Sequence, residues 1–307
     1  MSLNPNELEI HRKFMRPIRV KPFISIAIPT SVTVDSKSLR EQTFKIGYIG
    51  RAAAIFRVEE VMVYHDGEGD AGLIQGILQY MEVPPYLKKL LIPITPQLRY
   101  VGIIPPLKTP HHVQPEIFDI RYREGIIIDR RENRCIAEIG LNKKGVLYGK
   151  CPPKGSRITA KIIRENSNYY RIDVVDKSDI DVYWGYVIRL FNSLNDMLKE
   201  AVSKDYLIIV ASKKGEPVHK IEDVFNEKFI QKERILIIFG GPYLDVDEIG
   251  YKEGLNINNY VDFIINFVPR QGTVNIRTEE AIIATLSIVN YIKEKSLESK
   301  NRIHRIH

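Results

Sequence analysis

The sequence predicts an α/β protein whose mostly parallel sheet is interrupted by a small inserted β-barrel. Two observations support this fold class. In both terminal parts of the chain, buried β-branched segments alternate with amphipathic helical segments, an order typical of parallel sheets with crossover helices. Between them, from about residue 118 to residue 175, five short β-rich segments follow one another without a predicted helix.

The first part of the α/β domain is expected over residues 1–105. A polar, basic arm precedes the first strand, and Asp35 or Ser36 is the expected N-cap of the helix that follows. The pattern then repeats, so that strand, helix, strand and helix are predicted over residues 21–33, 34–56, 59–64 and 70–81. Pro84 and Pro85 end the last of these helices.

The insert is expected over residues 106–177. Turns rich in Gly, Asn and Pro separate its strands, which are predicted over residues 120–129, 134–141, 144–149, 157–166 and 169–176. Five short strands at this spacing suit a barrel of the OB type, which is a five-stranded Greek-key barrel. The sequence therefore predicts one α/β domain that is split by a separate β domain.

The second part of the α/β domain is expected over residues 178–307. Its predicted strands span residues 182–190, 206–211, 235–239 and 261–267, and its predicted helices span residues 193–202, 221–229 and 278–293. Thr278 is the expected N-cap of the last helix, because Glu279 and Glu280 would then lie in the first turn, where the helix dipole favours acidic side chains.

Composition narrows the class of protein. The chain has 307 residues, of which 44% are hydrophobic and 27% charged, as in ordinary globular proteins. A formal charge of +7 favours a polyanionic partner, with a merely basic enzyme as the alternative.

Cys135 and Cys151 are too few for a disulfide scaffold or a zinc site, so we expect a reducing compartment and no metal. Without a signal peptide or a membrane-spanning run, a cytoplasmic protein with no membrane attachment is expected.

Two loops of the second part carry the features of a ligand site. The strand ILIIF ends in Gly240-Gly241-Pro242, and glycines at a strand end let a ligand approach the backbone closely. A second strand runs into a loop of Pro, Gln, Gly, Thr and Asn, in which Val268 and Val274 offer apolar faces. Loop amides and carbonyls can pair with the edge of a purine. An ordinary tight turn and a capped helix after a connecting loop are the structural alternatives.

These segments, FGGP and NFVPRQGTVNIRTEEAIIATLSIV, resemble the cofactor-binding motifs of the SPOUT (α/β-knot) methyltransferases. The segment YIGRAAAIFRVEEVMVY resembles the first motif of that family, and VGIIPPLKTPHH resembles the signature of its archaeal and eukaryotic subfamily with an inserted OB-like barrel. The resemblance implies a trefoil knot whose loops bind S-adenosylmethionine without a metal, and a homodimer with the site at the subunit interface. The cofactor-binding residues it implies are Ser212, Phe239, Gly240, Gly241, Pro242, Asn266, Phe267, Val268, Pro269, Gln271, Gly272, Thr273, Val274, Asn275 and Thr278.

The resemblance also places the motif arginine at Arg51, on a helix before an Ala-rich turn. Methyl transfer mainly requires alignment of acceptor and methyl group, so Arg51 would orient the acceptor or stabilise charge that develops on it. A surface ion pair is the alternative role. Arg277 is a second catalytic candidate. Other branches of the family have a Ser beside the motif Asn, where this chain has Ile276 and Arg277, so mechanisms that use that Ser do not carry over.

The insert is the predicted RNA platform. It has more Lys and Arg than Asp and Glu, together with several tyrosines, and OB barrels hold single-stranded nucleic acid in basic grooves with stacking aromatics. A solvated barrel surface is the alternative. The candidate RNA-binding residues are Arg121, Arg123, Arg130, Arg131, Lys143, Lys144, Lys154, His111 and His112. The two histidines should point apart on an extended segment, which disfavours joint metal ligation and leaves a structural role as the alternative.

The sequence thus predicts an S-adenosylmethionine-dependent RNA methyltransferase that acts on a structured rRNA or tRNA as a homodimer. A non-catalytic RNA-binding assembly protein that keeps the same fold is the alternative. An oxidoreductase or a P-loop enzyme is disfavoured, because the chain has neither GxGxxG after its first strand nor GxxxxGK[ST].

Overall fold

The computed structural model describes residues 17–112 and 121–303, with side chains described up to residue 298. Two compact units divide the chain. The α/β unit contains Val20–Gln79, Pro96–Pro105 and the chain from Tyr186 onward, and the barrel unit contains Tyr80–Thr95 and Pro106–Gly185 together with the chain before Val20. The predicted fold class, an α/β sheet domain split by a five-stranded barrel, is confirmed. The predicted domain bounds, 1–105, 106–177 and 178–307, stay predictions.

The strands form one sheet and one barrel. In chain order they are β1 (Phe23–Pro29), β2 (Val58–Tyr64), β3 (Tyr122–Arg131), β4 (Arg134–Glu138), β5 (Gly145–Tyr148), β6 (Arg157–Glu165), β7 (Tyr170–Val175), β8 (Val187–Phe191), β9 (Leu207–Pro217), β10 (Arg234–Phe239) and β11 (Phe263–Asn266). The sheet has the order β11-β9-β10-β1-β2-β8, and its neighbouring strands are all parallel. The carboxyl ends of its strands therefore lie at one edge.

The helices are α1 (Leu39–Ile55), α2 (Ala71–Glu82), α3 (Lys88–Leu91), α4 (Leu194–Ser203), α5 (Val218–Gln231), α6 (Val246–Lys252) and α7 (Thr278–Ile303). The prediction that Asp35 or Ser36 caps α1 is wrong. Ser38 is the N-cap and its hydroxyl accepts a hydrogen bond from the Glu41 amide at 3.2 Å. Asp35 is bound instead to Lys45, at 2.7 Å. Of the helices in the described ranges, none combines the length and the apolarity needed to cross a membrane.

The last helix also begins differently from the prediction. Thr278 is the first residue of α7 rather than its cap, and its hydroxyl donates to the carbonyl of Gly240 at 3.1 Å. Helix α6 was not predicted, and Asp245 caps it in a capping box with Glu248. Both features bring a helix N-terminus beside the end of β10, so they belong to the site described below.

The core of the sheet is apolar on both faces, as expected for parallel strands covered by helices on each side. Ile26, Ile209 and Ile237, on β1, β9 and β10, are fully buried. Tyr64 at the end of β2 is also fully buried, and burial raises the pKa of its hydroxyl well above the ordinary value. That hydroxyl donates to the carbonyl of Phe239 at 2.8 Å, which links the ends of β2 and β10.

The barrel is closed, in the order β3-β4-β5-β7-β6, with β3 pairing to β6. Its strands pair antiparallel except for β5 and β7, which are parallel. Its core contains Ile127, Ala137 and Ile172. A disulfide joins Cys135 on β4 to Cys151, with 5.9 Å between their Cα atoms, a pairing that the low cysteine count did not predict. Cys135 lies opposite Leu147 of β5, and Cys151 follows three residues after the end of that strand.

A buried polar cluster lies within the barrel unit. Arg157 donates to the carboxylates of Glu82 and Glu124, at 2.6 Å in each case. The Trp184 indole donates to Glu124 at 2.7 Å, and both carboxylates are almost completely buried. Burial alone would raise the pKa of Glu82, but a hydrogen bond from His111 and the charge of Arg157 hold that pKa well below its ordinary value. Buried charges are tolerated here because each has a partner.

The two adjacent histidines belong to this cluster. The prediction that they point apart is wrong, because residues Pro110–His112 form a 3₁₀ turn and the two rings lie 4.3 Å apart. The Nε2 atoms of His111 and His112 lie 2.9 and 2.7 Å from the carbonyl oxygen of Glu82. His111 is fully buried and His112 is partly buried. The predicted role of His111 as an RNA ligand is therefore corrected to a structural role, because its side chain is fully buried. The role predicted for His112, which is only partly buried, stays a prediction.

We expect the protein to lose stability as the pH falls from about 7 to about 5. Burial lowers the pKa of His112 to about 3, whereas an unfolded histidine takes up its proton near 6.5. The unfolded state therefore binds more protons across this window, and stability falls as protons are added. A His112→Gln variant, which keeps a donor for the Glu82 carbonyl without titrating, should show a smaller fall. Urea-unfolding midpoints at the two pH values measure this, and equal shifts in both proteins would contradict it.

Candidate cofactor pocket

A cavity of about 400 Å³ opens at the carboxyl ends of β10 and β11 and beside residues 211–214 of β9. These strands are neighbours in the sheet, and open α/β sheets usually bind ligands at this edge. The volume lies in the range of about 300–1,000 Å³ that is typical of small-molecule sites. Three segments line the cavity, from residues 211–214, 239–248 and 265–285. We call it the knot-loop pocket, after the loops expected to bind the cofactor.

The glycine turn after β10 forms one wall of the knot-loop pocket. The Gly241 amide donates to the carbonyl of Leu244 at 2.9 Å, which closes the turn. A Cβ atom on Gly240 would lie 2.9 Å from that same carbonyl, and one on Gly241 would lie 2.5 Å from the Ser31 hydroxyl. Side chains are therefore excluded from this turn, and its backbone groups border the cavity.

An excursion of β9 forms a second wall. Val210 and Glu216 pair with Ile264 and Ile265, which are consecutive on β11, so residues 211–215 loop out of the ladder between them. Gly215 permits this, because a Cβ atom there would lie 2.5 Å from the Ile264 backbone. The excursion carries Ser212, Lys213 and Lys214 to the pocket.

The loop between β11 and α7 forms the third wall. Asn266 organises its start by accepting a hydrogen bond from the Val268 amide at 3.0 Å. Gln271 closes the loop on itself by donating to the carbonyls of Thr273 and Val274. Lys213 then ties the loop to the β9 excursion, since its Nζ donates to Oδ1 of Asn275 at 2.8 Å.

The structure brings most of the predicted cofactor residues together. Those that line the knot-loop pocket are Ser212, Phe239, Gly240, Gly241, Pro242, Asn266, Phe267, Val268, Gln271, Asn275 and Thr278. Those outside its lining are Pro269, Gly272, Thr273 and Val274. Val274 is 86% exposed, and a Cβ atom on Gly272 would meet no atom within 4 Å. The protein packs closely against the backbone at Gly240 and Gly241, whereas it leaves open space at Gly272.

Sequence reasoning missed several lining residues, among them Lys213, Lys214 and Asp245. Asp245 accepts a hydrogen bond from the Ser212 hydroxyl at 2.5 Å while it caps α6. Lys214 pairs with Asp247 at 2.9 Å, and this contact raises the pKa of the lysine. The sequence signal was the SKKG run directly after a buried strand, which combines polar side chains with a glycine at a strand end.

Arg277 borders a different cavity, a groove of about 1,090 Å³ between the start of α7 and the N-terminal half of α1. Phe44 and Tyr48 also line this groove, and both are 46% exposed. Arg51 lines neither cavity and is half-buried on α1. It lies three residues after Tyr48 and seven after Phe44, which places it on the same face of the helix. The structure therefore puts both candidate arginines in the α/β unit, outside the knot-loop pocket.

The candidate RNA-binding residues divide into exposed and buried sets. Those that are exposed are Arg121, Arg130, Arg131, Lys144 and Lys154. Lys143 is half-buried and pairs with Glu165 at 2.6 Å. Arg123 is only 3% exposed, its Nε donates to the Ile139 carbonyl, and its guanidinium lies 4.6 Å from the Tyr86 ring centre. Its expected role at the RNA surface is therefore corrected to packing inside the barrel unit.

Comparison with known proteins identifies relatives across almost the whole chain. The model of a family described as "Putative RNA methyltransferase" matches residues 23–289. A Drosophila melanogaster protein named 28S rRNA (uridine-N(3))-methyltransferase is 32% identical over 301 residues, which cover 86% of this chain and 61% of that protein. A human protein of the same name is 31% identical over 304 residues, which cover 88% of this chain and 78% of that protein. The chain thus spans less than two thirds of the fly relative.

Among solved structures, a tRNA-modifying enzyme of A. aeolicus described as TrmH/SpoU aligns over 96% of this chain and 85% of its own. The identity is 12% and the TM-score 0.38. A superposition this loose carries no argument about function.

A side chain at Gly240 should block ligand binding in the knot-loop pocket. We expect Gly240→Val to abolish calorimetric binding of S-adenosylmethionine, because its Cβ atom would press on the Leu244 carbonyl and displace the glycine turn that lines the cavity. Gly272→Val is the matched control, since that position opens onto free space. Unchanged affinity in Gly240→Val, with both variants folded by thermal unfolding, would remove this turn from the site.

Proposed function

The chain belongs to the RNA methyltransferase family whose model it matches, and we propose that it transfers a methyl group from S-adenosylmethionine to N3 of a uridine in ribosomal RNA. The observation that carries the proposal is the knot-loop pocket. Its walls are built by the segments that resemble the cofactor motifs of the SPOUT methyltransferases, and it lies where open α/β sheets bind ligands. The uridine target follows the names of the fly and human relatives.

The lining of the pocket fits an adenosyl ligand. Val268 and Ile276 line the pocket and are partly exposed, so they offer apolar surface for a purine ring. The backbone of the glycine turn and the side chains of Asn266 and Gln271 supply hydrogen-bonding groups for its edge. Lys213 is placed to meet a carboxylate at the mouth of the pocket. S-Adenosylmethionine supplies an activated methyl group when it is bound.

The protein side of the reaction is mainly alignment and charge stabilisation. Methylation requires that N3 of uridine give up its proton to solvent, which leaves negative charge on the uracil ring. N3 then bonds to the methyl carbon while the carbon–sulfur bond breaks and its electrons stay on the sulfur. Arg51 is a permanent cation and is proposed to stabilise that charge and to orient the ring. Arg277 is the second candidate for this role. Alignment alone supplies a large part of the acceleration in displacement reactions of this kind.

A homodimer is part of the proposal, because α1 and α7 present apolar side chains to solvent. Phe44, Tyr48 and Ile55 on α1 are about half exposed, and Tyr291 on α7 is 64% exposed. Large exposed apolar surfaces mark interaction sites. A second copy placed on this face would cover the groove that Arg277 borders and would bring another set of arginines to it.

The barrel unit is proposed to capture RNA through its exposed basic residues, Arg121, Arg130, Arg131, Lys144 and Lys154. Such contacts supply affinity without sequence information. The cytoplasmic location and the absence of a metal requirement stay predictions from the sequence.

Transfer to RNA tests the function and the role of Arg51 together. We expect the protein to methylate unmodified rRNA with labelled S-adenosylmethionine, and digestion with mass spectrometry to identify N3-methyluridine. Arg51→Ala should lower the single-turnover rate by about a hundredfold or more while cofactor affinity stays near wild type, as expected for an interaction made in the transition state. Arg99→Ala, an exposed arginine outside both cavities, is the control.

A wild-type rate in Arg51→Ala would remove the catalytic assignment. Tight cofactor binding without transfer to any RNA by the wild-type protein would overturn the methyltransferase proposal in favour of an RNA-binding assembly protein.

Light scattering tests the dimer. The wild-type protein should have about twice the 35.4 kDa mass of one chain. Introducing charge into the apolar face by Tyr48→Glu should yield monomers, because each carboxylate would be buried without a partner in the dimer. The exposed Tyr251 on α6 supplies the control Tyr251→Glu. A fully active wild-type monomer would refute the proposal.

A further inference from the structure

A second site is suggested by a cleft at the tip of the β3–β4 hairpin. The cleft has a volume of about 420 Å³ and is lined by Arg131, Glu132, Asn133, Arg134 and Tyr148. We call it the hairpin cleft. It lies wholly within the barrel unit. The cofactor site does not use it. Tyr148 is one of the insert tyrosines that the sequence offers for base stacking, whereas Arg134 is not among the candidate RNA-binding residues.

Tyr148 is held in place and keeps part of its ring exposed. It is the last residue of β5, where it pairs across the ladder with Arg134. Its hydroxyl donates to the Tyr169 hydroxyl at 3.2 Å, and the Arg171 guanidinium lies 5.9 Å from its ring centre. The side chain is nevertheless 47% exposed. An anchored tyrosine with an open ring surface is the arrangement on which nucleic-acid bases stack.

The walls of the hairpin cleft are fixed by main-chain contacts. The Gly149 amide donates to the Asn133 carbonyl at 3.2 Å, which holds the hairpin turn beside the residue that follows Tyr148. Gly149 has φ of +92°, a conformation that favours glycine. The cleft is therefore formed before any ligand arrives, which limits the ordering cost of binding.

The charge around the cleft suits a phosphate backbone. Arg134 is exposed and has no carboxylate partner among the described residues. Arg131 is also exposed, although it pairs with Asp129 at 3.2 Å, and Arg171 adds a third guanidinium. Glu132 is the one acidic side chain in the lining. Guanidinium groups flanking an open aromatic ring match a base with its two neighbouring phosphates.

We propose that the hairpin cleft is a stacking subsite for one unpaired nucleotide of the RNA. Tyr148 would lie under the base, and Arg134 and Arg131 would contact the flanking phosphates. The ligand is single-stranded, because the bases of a duplex are already stacked on each other and cannot offer a free face to a side chain. The inference rests on the proposed function, since it assumes that the barrel unit captures RNA.

Stacking and phosphate contacts differ in their response to salt, and the test uses this difference. The probe is a fluorescent oligouridylate of about ten nucleotides, a length within the site sizes of OB folds. Its binding to the full-length protein is measured by anisotropy across a salt series. Tyr148→Ala should weaken binding by about tenfold or more at every salt concentration without changing the slope. Arg134→Ala should instead reduce the slope of log affinity against log salt by about one.

Two control variants distinguish the loss of the aromatic ring from a loss of folding and from the loss of any exposed tyrosine. Tyr148→Phe keeps the ring and loses only the bond to Tyr169, so it should bind within a few-fold of wild type. Tyr251→Ala removes an exposed tyrosine from the α/β unit and should leave affinity unchanged. Affinity in Tyr148→Ala equal to that in Tyr251→Ala would overturn the subsite, as would a wild-type protein that does not bind the oligonucleotide.

Failure of the subsite and failure of the proposed function give different results. A protein that methylates rRNA but binds oligouridylate independently of Tyr148 lacks the subsite and keeps the methyltransferase function. A protein whose oligouridylate binding depends on Tyr148, but which methylates no RNA, keeps the subsite and lacks the function.

Discussion

The carboxyl end of β10 depends on two side-chain hydrogen bonds to consecutive carbonyl groups. Tyr64 donates to the carbonyl of Phe239, and Thr278 donates to that of Gly240. One donor lies at the end of β2 and the other at the start of α7, so segments far apart in sequence converge on this point. Backbone groups buried at a strand end require such partners. Because the glycine turn follows directly, these bonds also position the wall of the knot-loop pocket.

The strands and turns of this site that could be predicted are those that short stretches of sequence encode by themselves. Runs such as ILIIF are apolar and β-branched over their whole length, which is typical of strands buried on both faces, and the Gly-Gly-Pro turn marks where one of them ends. The strands of the barrel were equally visible, because turn residues separate them at regular intervals. The fold class and most of the pocket lining follow from these local signals, supported by the family resemblance.

The features that sequence reasoning missed depend on tertiary partners. The β9 excursion is defined by the pairing of Val210 and Glu216 with consecutive residues of β11, and the SKKG run marks its place in the sequence without revealing that pairing. Arg123 was grouped with surface cations, but Tyr86 and the Ile139 carbonyl enclose it. His111 was expected on an extended segment, whereas a 3₁₀ turn directs it into the core. Arginine and histidine are often found at protein surfaces, so only the packed neighbours of Arg123 and His111 reveal that these two side chains are buried.

The buried cluster around Glu82 also constrains how the barrel unit can change over evolutionary time. Loss of Arg157 alone would leave the two almost completely buried carboxylates of Glu82 and Glu124 without the cation they share, at a cost of about 3–5 kcal/mol, whereas joint replacement of all three residues by apolar residues of similar volume can be neutral. A lineage that drifts one substitution at a time must therefore cross an intermediate that folds poorly. The cluster can persist in descendants for that reason alone, whether or not it benefits the molecule that carries it.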